Sequence, residues 1–255
     1  MGVKKHAWSL FLGRKNAAQK GIAFLRASTK VRKMQPYLLG LDLGSTNIKA
    51  LAITREGRVV AQADRPTRTL LPQPGWVEQD PQHILRAAVA VLRETYRQAQ
   101  LAGGVLQGVV CSGAMHSLLA IDRSGKPLTH AWLWSDTRSA HLADAVRGTE
   151  SGLKIYRQTG VPIHAMSPLF KIQWLKKNHP EVAGLGFKYL GIKEFVIGNL
   201  LQLPPEEWVS DVSIASATGL LNTKTQQWDE DALALAGVTK ADLPRVVAAR
   251  HYLYL

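Results

Sequence analysis

The sequence has a single cysteine and no long apolar run. Cys111 is the one cysteine in 255 residues, which excludes an internal disulfide framework and favours a reducing compartment such as the cytoplasm. No stretch of eighteen apolar residues occurs, so the sequence predicts no transmembrane helix. Apolar residues make up 46% of the chain, which excludes a disordered protein and supplies a sizeable core.

Acidic residues are missing from positions 1–33, which hold nine Lys or Arg. The net charge of +13 is concentrated there, because the other 222 residues carry 23 basic and 19 acidic side chains. We expect this extension to be disordered or a mis-called start, and three interpretations of it stay open: an arm that binds nucleic acid or an anionic membrane, a transit peptide, or sequence upstream of a true start at Met34. We favour the last, since Met34 directly precedes the first predicted strand.

Hydrophobic periodicity predicts strands and helices after Met34. Apolar segments at 37–42, 47–54 and 59–66 are joined by tight turns and predict three antiparallel strands. Further strands are predicted at 108–112, 118–122 and 187–191, and helices at 81–100, 137–147, 168–178, 193–201 and 230–236. This order predicts an α/β domain with a mixed sheet. The tail, 246–255, is atypical and carries no predicted element.

The turn between the first two strands has more chemistry than a hairpin needs. In LLGLDLGSTNIKALAI, Asp42 ends the first strand and Gly44, Ser45 and Thr46 follow it. Backbone N–H groups in such a turn can converge on a phosphate, and an Asp at a strand end can hold Mg²⁺ through water. A plain hairpin with a solvated acid is the alternative, and the loop alone does not decide between them.

Several further motifs have a recognisable order. Between about residues 37 and 243 the chain contains GLDLGSTNIKA, PGWVEQDP, SGAMHSLLAID, WLWSDTRS and SDVSIASATGLLNTKTQQWD. Together they resemble the FGGY family of carbohydrate kinases. The segments TGVPIHAMSPLFKIQWLKKNHPEV and GIKEF are similar to the gluconokinase type within that family.

The resemblance implies an actin-like, ribonuclease-H-like ATPase domain with helices on both faces of its sheet. Family members use this fold twice: the sugar lies largely on the first domain, and ATP lies in the cleft with its adenine held mainly by the second. Residues 34–245 match the first, sugar-binding domain, so we expect the C-terminal ATP-binding domain to be absent from these 255 residues. ATP, Mg²⁺ and a sugar or sugar acid are the implied cofactors and substrate.

Roles for individual residues follow from the same resemblance. Asp211 matches the aspartate that accepts the proton of the attacking hydroxyl, although an N-cap for the next helix would also explain an Asp there. Asp42 is the implied Mg²⁺ ligand. The residues implied to face the phosphates are Gly44, Ser45, Thr46 and Lys49.

The sugar-facing residues that the resemblance implies are Met115, His116, Trp134, Asp136 and Arg138. Alternatives remain open for them. His116 could be packed and hydrogen-bonded, and Trp134 could fill the core instead of stacking on the sugar. Asp136 could pair with Arg138, or Arg138 could bind a substrate carboxylate with two hydrogen bonds.

The sequence predicts the surroundings of three further residues. His164 and Lys171 are weaker candidates for a substrate carboxylate, and the sequence predicts a solvated surface for both. Cys111 is predicted to be a buried strand residue.

The favoured activity is transfer of the γ-phosphoryl group of ATP to D-gluconate, giving 6-phospho-D-gluconate. Because we expect the ATP-binding domain to be absent, the sequence leaves open whether this chain is active by itself. A xylulokinase or another pentulose kinase is the nearest alternative. A truncated, non-catalytic fragment with a nucleic-acid-binding arm is another, and the even charge after residue 33 disfavours it. The SGAMH and WSDTR segments argue against an actin- or chaperone-like ATPase. The oligomeric state, including a homodimer, stays open.

Overall fold

The computed structural model of the chain describes residues 35–253, and the extension predicted at 1–33 lies outside them. Its strands are β1 (Gln35–Leu43), β2 (Asn47–Thr54), β3 (Val59–Pro66), β4 (Glu78–Gln79), β5 (Gly104–Gly113), β6 (Leu119–Ile121), β7 (Ala131–Trp132), β8 (Lys188–Leu190), β9 (Val209–Asp211), β10 (Leu221–Asn222), β11 (Gln227–Trp228) and β12 (Arg245–Val247). Its α-helices are α1 (Pro81–Leu101), α2 (Ala140–Val146), α3 (Glu150–Thr159), α4 (Pro168–Asn178), α5 (Pro180–Leu185), α6 (Ile192–Leu200), α7 (Val212–Ala215) and α8 (Glu230–Ala236).

The main sheet has four strands in the order β3-β2-β1-β5. The first three are antiparallel neighbours, as predicted, and β5 pairs with β1 in parallel. Period-two burial explains the register, since Leu39, Leu41 and Leu43 are buried while Leu38 and Asp42 are exposed. Because β1 and β5 are parallel, their carboxyl-terminal ends meet at one edge of the sheet.

Helix α1 covers one face of this sheet. Its N-cap is Asp80, whose carboxylate accepts from the N–H of Gln82 at 2.8 Å, and Pro81 is the first helical residue, as predicted. The helix buries Ile84, Ala88, Val91 and Leu92, and α6 adds side chains to the same cluster. Burial of each large aliphatic side chain contributes about 1.5–3 kcal/mol.

The opposite face of the sheet is more open within residues 35–253. Leu38 and Val110 are both exposed there and are two positions apart in the parallel register, since Leu38 pairs with Gly108 and Gly40 with Val110. Asp42 and Ser112 pair on the same face, at the carboxyl-terminal ends of β1 and β5.

A second hydrophobic core gathers around α4, α8 and the short strands. Trp174 on α4 makes edge-to-face contacts with Trp76 and Trp132, with ring centroids 5.4 and 5.6 Å apart. The indole N–H of Trp228 donates to the carbonyl of Pro244 at 3.0 Å, which ties the end of the domain to this core.

Strand β12 pairs in parallel with β9, and Val247 lies opposite Asp211. This strand, Arg245–Val247, includes the first two residues of the segment 246–255, for which the sequence predicted no element. In the part of the chain that the structure describes, no helix is both long and apolar enough to cross a membrane.

Candidate active site

The carboxyl-terminal edge of β1 and β5 carries the first acidic group of the site. The Ser112 hydroxyl at the end of β5 donates to Oδ1 of Asp42 at 2.6 Å. Lys49 lies opposite Asp42 in the β1–β2 register. This hydrogen bond fixes the orientation of the Asp42 carboxylate at the mouth of the hairpin.

The hairpin loop has a backbone that requires glycine at one position. A Cβ on Gly44 would lie 2.8 Å from the carbonyl oxygen of Asn47, so a larger residue would displace the turn. The Ser45 carbonyl oxygen accepts from Oγ1 of Thr67 and from Nε2 of Gln79, each at 2.7 Å. The loop is thus anchored through its carbonyl oxygens to the following segment.

Asp42 fits a magnesium ion that is bound mostly by water and phosphate. Among residues 35–253 no group of three or more His, Cys, Asp or Glu side chains could form a protein cage for a metal. Mg²⁺ typically uses one or two carboxylates, several waters and phosphate oxygens, so a single oriented carboxylate is sufficient.

Asp211 ends β9 and caps α7. Its Oδ1 accepts from the N–H of Ser213 at 3.0 Å, and Oδ2 accepts from Nζ of Lys193 at 2.6 Å. Burial raises the pKa of Asp211, but the hydrogen bonds from Lys193 and Ser213 outweigh it and hold the pKa below its usual range. The carboxylate is therefore ionised at neutral pH, and the N-cap interpretation from the sequence is also correct.

Lys193 connects Asp211 to the edge of the main sheet. A side chain on Gly113, the last residue of β5, would meet Cβ of Lys193 at 2.9 Å. Gly113 follows Ser112, the donor to Asp42. The two acidic groups, Asp42 and Asp211, therefore lie at the same end of the sheet, and each is linked to the end of β5, Asp42 through Ser112 and Asp211 through Lys193.

Two ionisable groups lie behind this edge. Cys111 is only partly buried, which differs from the buried position predicted for it, and desolvation raises the pKa of its thiol to about 12, so the thiol stays protonated at neutral pH. Burial also raises the pKa of Glu194, which accepts a hydrogen bond from the Ser210 hydroxyl.

His116 has a left-handed backbone, with φ of 63°, in the loop after β5. Its Nδ1 lies 2.6 Å from the carbonyl oxygen of Ala217, in the turn that follows α7. Because a carbonyl can only accept, Nδ1 must carry the proton. Burial lowers the pKa of His116, so the ring is neutral and Nε2 is a hydrogen-bond acceptor.

Two large side chains near His116 are open to solvent. Met115 is 52% exposed and Trp134 is 56% exposed. The interpretation of Trp134 as a core residue is therefore wrong, whereas its neighbour Trp132 is buried. An exposed indole offers a flat apolar surface suited to the C–H face of a polyol.

Asp136 and Arg138 form a buried ion pair. Arg138 donates from Nε to Oδ1 of Asp136 at 2.9 Å and from NH2 to Oδ2 at 2.8 Å, and NH2 also reaches Oε1 of Glu78 at 2.6 Å. The guanidinium lies 3.9 Å from the ring centroids of both Trp76 and Trp132. The pairing alternative from the sequence is confirmed, and the side chains of both residues are almost completely withdrawn from solvent.

The sequence analysis missed two lysines of this region. Lys171 was expected at a solvated surface, which is wrong: it is fully buried, whereas His164 is exposed as expected. Lys193 received no role from the sequence. The available signal for Lys171 was its place in LFKIQWL, where apolar residues flank it on both sides.

Comparisons with known proteins identify the family and the fold of the chain. A family model, the FGGY family of carbohydrate kinases, N-terminal domain, matches residues 37–253. The gluconokinase of Bacillus licheniformis is 38% identical over 215 residues, which are 84% of this chain and 40% of that protein. The crystal structure of a gluconate kinase from Lactobacillus acidophilus has a TM-score of 0.76 at 30% identity, covering 84% of this chain and 42% of that one. A ligand-bound xylulose kinase from the same species also has a TM-score of 0.76 at 30% identity, covering 83% and 42%.

The fold and the acidic edge together define a domain of the actin-like sugar kinase class. The chain belongs to the FGGY family of carbohydrate kinases, whose members are ATP-dependent sugar kinases. It spans about 40% of the length of the curated gluconokinases that it matches.

Proposed function

We propose that the chain is the sugar-binding part of a cytoplasmic kinase that phosphorylates the terminal hydroxyl of D-gluconate. The observation that carries the proposal is the position of two carboxylates, Asp42 and Asp211, at one end of the sheet with the neutral ring of His116 tied to the Asp211 segment. The similarity to gluconokinases over 84% of the chain supports it.

Asp211 is the proposed base. Each oxygen of a carboxylate has two lone pairs, so the bonds from Lys193 and Ser213 leave room for one from a substrate hydroxyl. As the sugar oxygen forms its bond to the γ-phosphorus, Asp211 takes the hydroxyl proton, and the bond from phosphorus to the bridging oxygen breaks with its electron pair leaving on ADP.

The hairpin side of the edge receives the nucleotide in this proposal. Asp42 would hold Mg²⁺ through water, and the metal supplies neutralisation of the phosphate charge. Gly44, Ser45 and Thr46 would face the phosphates, with Lys49 as a nearby cation. The adenine would need protein surface beyond the sugar domain.

His116, Met115 and Trp134 are the proposed sugar contacts. Nε2 of His116 would accept from a sugar hydroxyl, because its other nitrogen donates to Ala217. Met115 and Trp134 would cover the apolar side of the polyol. Asp136 and Arg138 would act beneath this surface, by holding the segment that carries Trp134.

Calorimetric titration of the purified chain tests the choice of substrate. We expect binding of D-gluconate that exceeds binding of D-xylulose and glycerol at least tenfold. Tighter binding of D-xylulose would favour the pentulose kinase alternative, which the similarity to a xylulose kinase structure supports. An absence of binding by all three polyols would refute the sugar site.

A coupled assay of ADP release tests the reaction. It is run with D-gluconate, ATP and Mg²⁺ on this chain and on the chain extended by a second domain of the family. We expect transfer by the extended form and little by the chain alone, because the chain spans 40% of the gluconokinases. If the extended form binds gluconate but transfers no phosphoryl group to it, the protein is a sugar-binding protein and not a kinase.

A further inference from the structure

Lys171 lies in the first turn of α4 and is completely buried. Its ammonium donates to the carbonyl oxygen of His116 and to the carbonyl oxygen of Leu133, both at 2.7 Å. Arg, Lys and the acids are almost never fully buried without a compensating partner, so a lysine in this position calls for an explanation.

Burial is costly for this ammonium. It lowers the pKa of Lys171 to about 7, with Asp136 opposing the shift and Arg138 adding to it. The charged groups that face Lys171 are thus those two residues, and His116 is close enough for its own pKa to feel the lysine charge. An apolar residue of similar size would avoid this cost but would leave both carbonyl oxygens without this donor.

The two carbonyl oxygens belong to the segments that carry the proposed sugar contacts. One is the carbonyl of His116 itself, a residue with a left-handed backbone that is uncommon for any residue except glycine. The other belongs to Leu133 and immediately precedes the exposed Trp134. The backbone pair between Leu118 and Trp132 already joins these two segments, and the ammonium adds a link beyond that pair, between His116 and Leu133.

We infer that Lys171 is a positioning residue of the sugar site, whose ammonium fixes the separation of the His116 and Trp134 segments from beneath. The inference rests on the proposed sugar site and adds a residue that does not touch the sugar. The ammonium adds to the Leu118–Trp132 pair a link at His116 and next to Trp134, so loss of the ammonium weakens sugar binding even where the fold survives.

The chain offers a matched control in Lys188. This lysine is also buried, its pKa is also lowered by burial, and its ammonium also donates to two backbone carbonyls, those of Ala241 and Leu243 at 2.9 and 3.0 Å. Those carbonyls lie near the end of the domain, in segments without a proposed sugar contact. Lys188→Met therefore repeats the chemical change and leaves the sugar site alone.

The test is calorimetric titration of D-gluconate into the wild-type chain and into Lys171→Met, Lys188→Met and Lys171→Gln, each checked for folding by circular dichroism. We expect at least a tenfold loss of affinity in Lys171→Met, a change within twofold in Lys188→Met, and partial recovery in Lys171→Gln, whose amide keeps two N–H donors. A folded Lys171→Met that binds like wild type would overturn the inference. A wild-type chain that binds no polyol would instead refute the proposed function.

A measurement on the wild-type chain covers the case in which the Lys171 variants do not fold. Buried lysine ammonium groups can be followed by ¹⁵N NMR, and Lys188→Met identifies the control resonance. Saturating D-gluconate is expected to shift the Nζ resonance of Lys171 and to leave that of Lys188 in place. Binding of gluconate with no shift at Lys171 would overturn the inference.

Discussion

The ammonium of Lys193 donates to Oδ2 of Asp211 at 2.6 Å, so the proposed catalytic base is already paired with a cation in the sugar-free chain. The pair is largely withdrawn from solvent, with side-chain exposures of 13% and 15%. A paired aspartate is a weaker base but remains ionised. That suits phosphoryl transfer, where positioning and charge neutralisation matter more than base strength.

Removal of this cation should shift the pH dependence of the reaction. In Lys193→Met the pKa of Asp211 rises, because burial still raises it and the main opposing hydrogen bond is gone. The acid limb of the kcat/KM profile therefore moves to higher pH in a transfer-competent form of the chain. Lys193→Arg keeps a cation and should keep the limb near its original position. An unchanged limb in Lys193→Met would show that Lys193 does not set the charge of the base.

Substitution of the base itself should separate chemistry from binding. Asp211→Asn is expected to lower kcat by about 10²–10⁴-fold while D-gluconate affinity changes little. Some stability should be lost, because Asn still caps the helix by accepting from Ser213 but leaves the ammonium of Lys193 without its carboxylate. Steady-state rates, calorimetry and thermal melts on the same preparation check the three expectations. Activity within tenfold of wild type would exclude Asp211 as the base.

The two tryptophans of the WLW segment should respond in opposite ways. Trp134→Ala is expected to weaken D-gluconate binding roughly three- to tenfold, comparable with the ~0.5–1.5 kcal/mol of a stacked ring, with little change in stability. Trp132→Ala should cost about 3–5 kcal/mol of unfolding free energy, because Trp132 is only 4% exposed. Urea unfolding and calorimetry distinguish the cases, and equal effects on stability would contradict the assignment.

The buried Arg138 pair should be far more important for stability than a surface pair. Arg138→Met leaves Asp136 and Glu78 buried without their cation and is expected to cost about 3–5 kcal/mol. Arg65→Met, which breaks an exposed pair with Glu94, is the control and should cost less than about 1 kcal/mol. Both values come from urea unfolding at neutral pH. Similar costs for the two variants would refute the structural role of Arg138.

Lys171 should also leave a signature in the pH dependence of stability. Its pKa falls from 10.5 to about 7 on folding, so between these values the unfolded chain binds more protons at this site than the folded one. The free energy of unfolding therefore gains a contribution that rises with pH above about 7. Unfolding at pH 7 and pH 9 should show a smaller rise in Lys171→Met than in wild type. Equal slopes would mean that Lys171 keeps its proton up to pH 9 in the folded chain, so that burial does not lower its pKa.

Local patterns were sufficient for the regular parts of this domain. β2 and β3 have the bounds that alternation of apolar residues predicted, and α1 begins at Pro81 after the Asp80 cap. Helix α3 was missed although its signals are present, with Thr149 as a side-chain cap and Gly160 in the left-handed conformation at its end. Its polar composition weakened the periodicity on which the prediction depended.

The candidate site was only partly accessible from the sequence. The motifs pointed to Asp42, Asp211, His116 and Trp134, and the structure adds the partners that set their chemistry. Lys193 and Asp211 are 18 positions apart, and Ser112 and Asp42 are 70 apart. Contacts at such separations leave no periodic pattern, because they depend on how whole elements pack.

The sequence by itself determined the family, the strand-turn-strand opening and the residue types available at the edge of the sheet, since these depend on local propensity and on motifs that are contiguous in the chain. Only the tertiary structure decided which charges are paired and which are exposed. Lys171 is the clearest case: its sequence surroundings fit a surface or a core, and burial between two loop carbonyls, set by the packing of α4, gives it its part in the site.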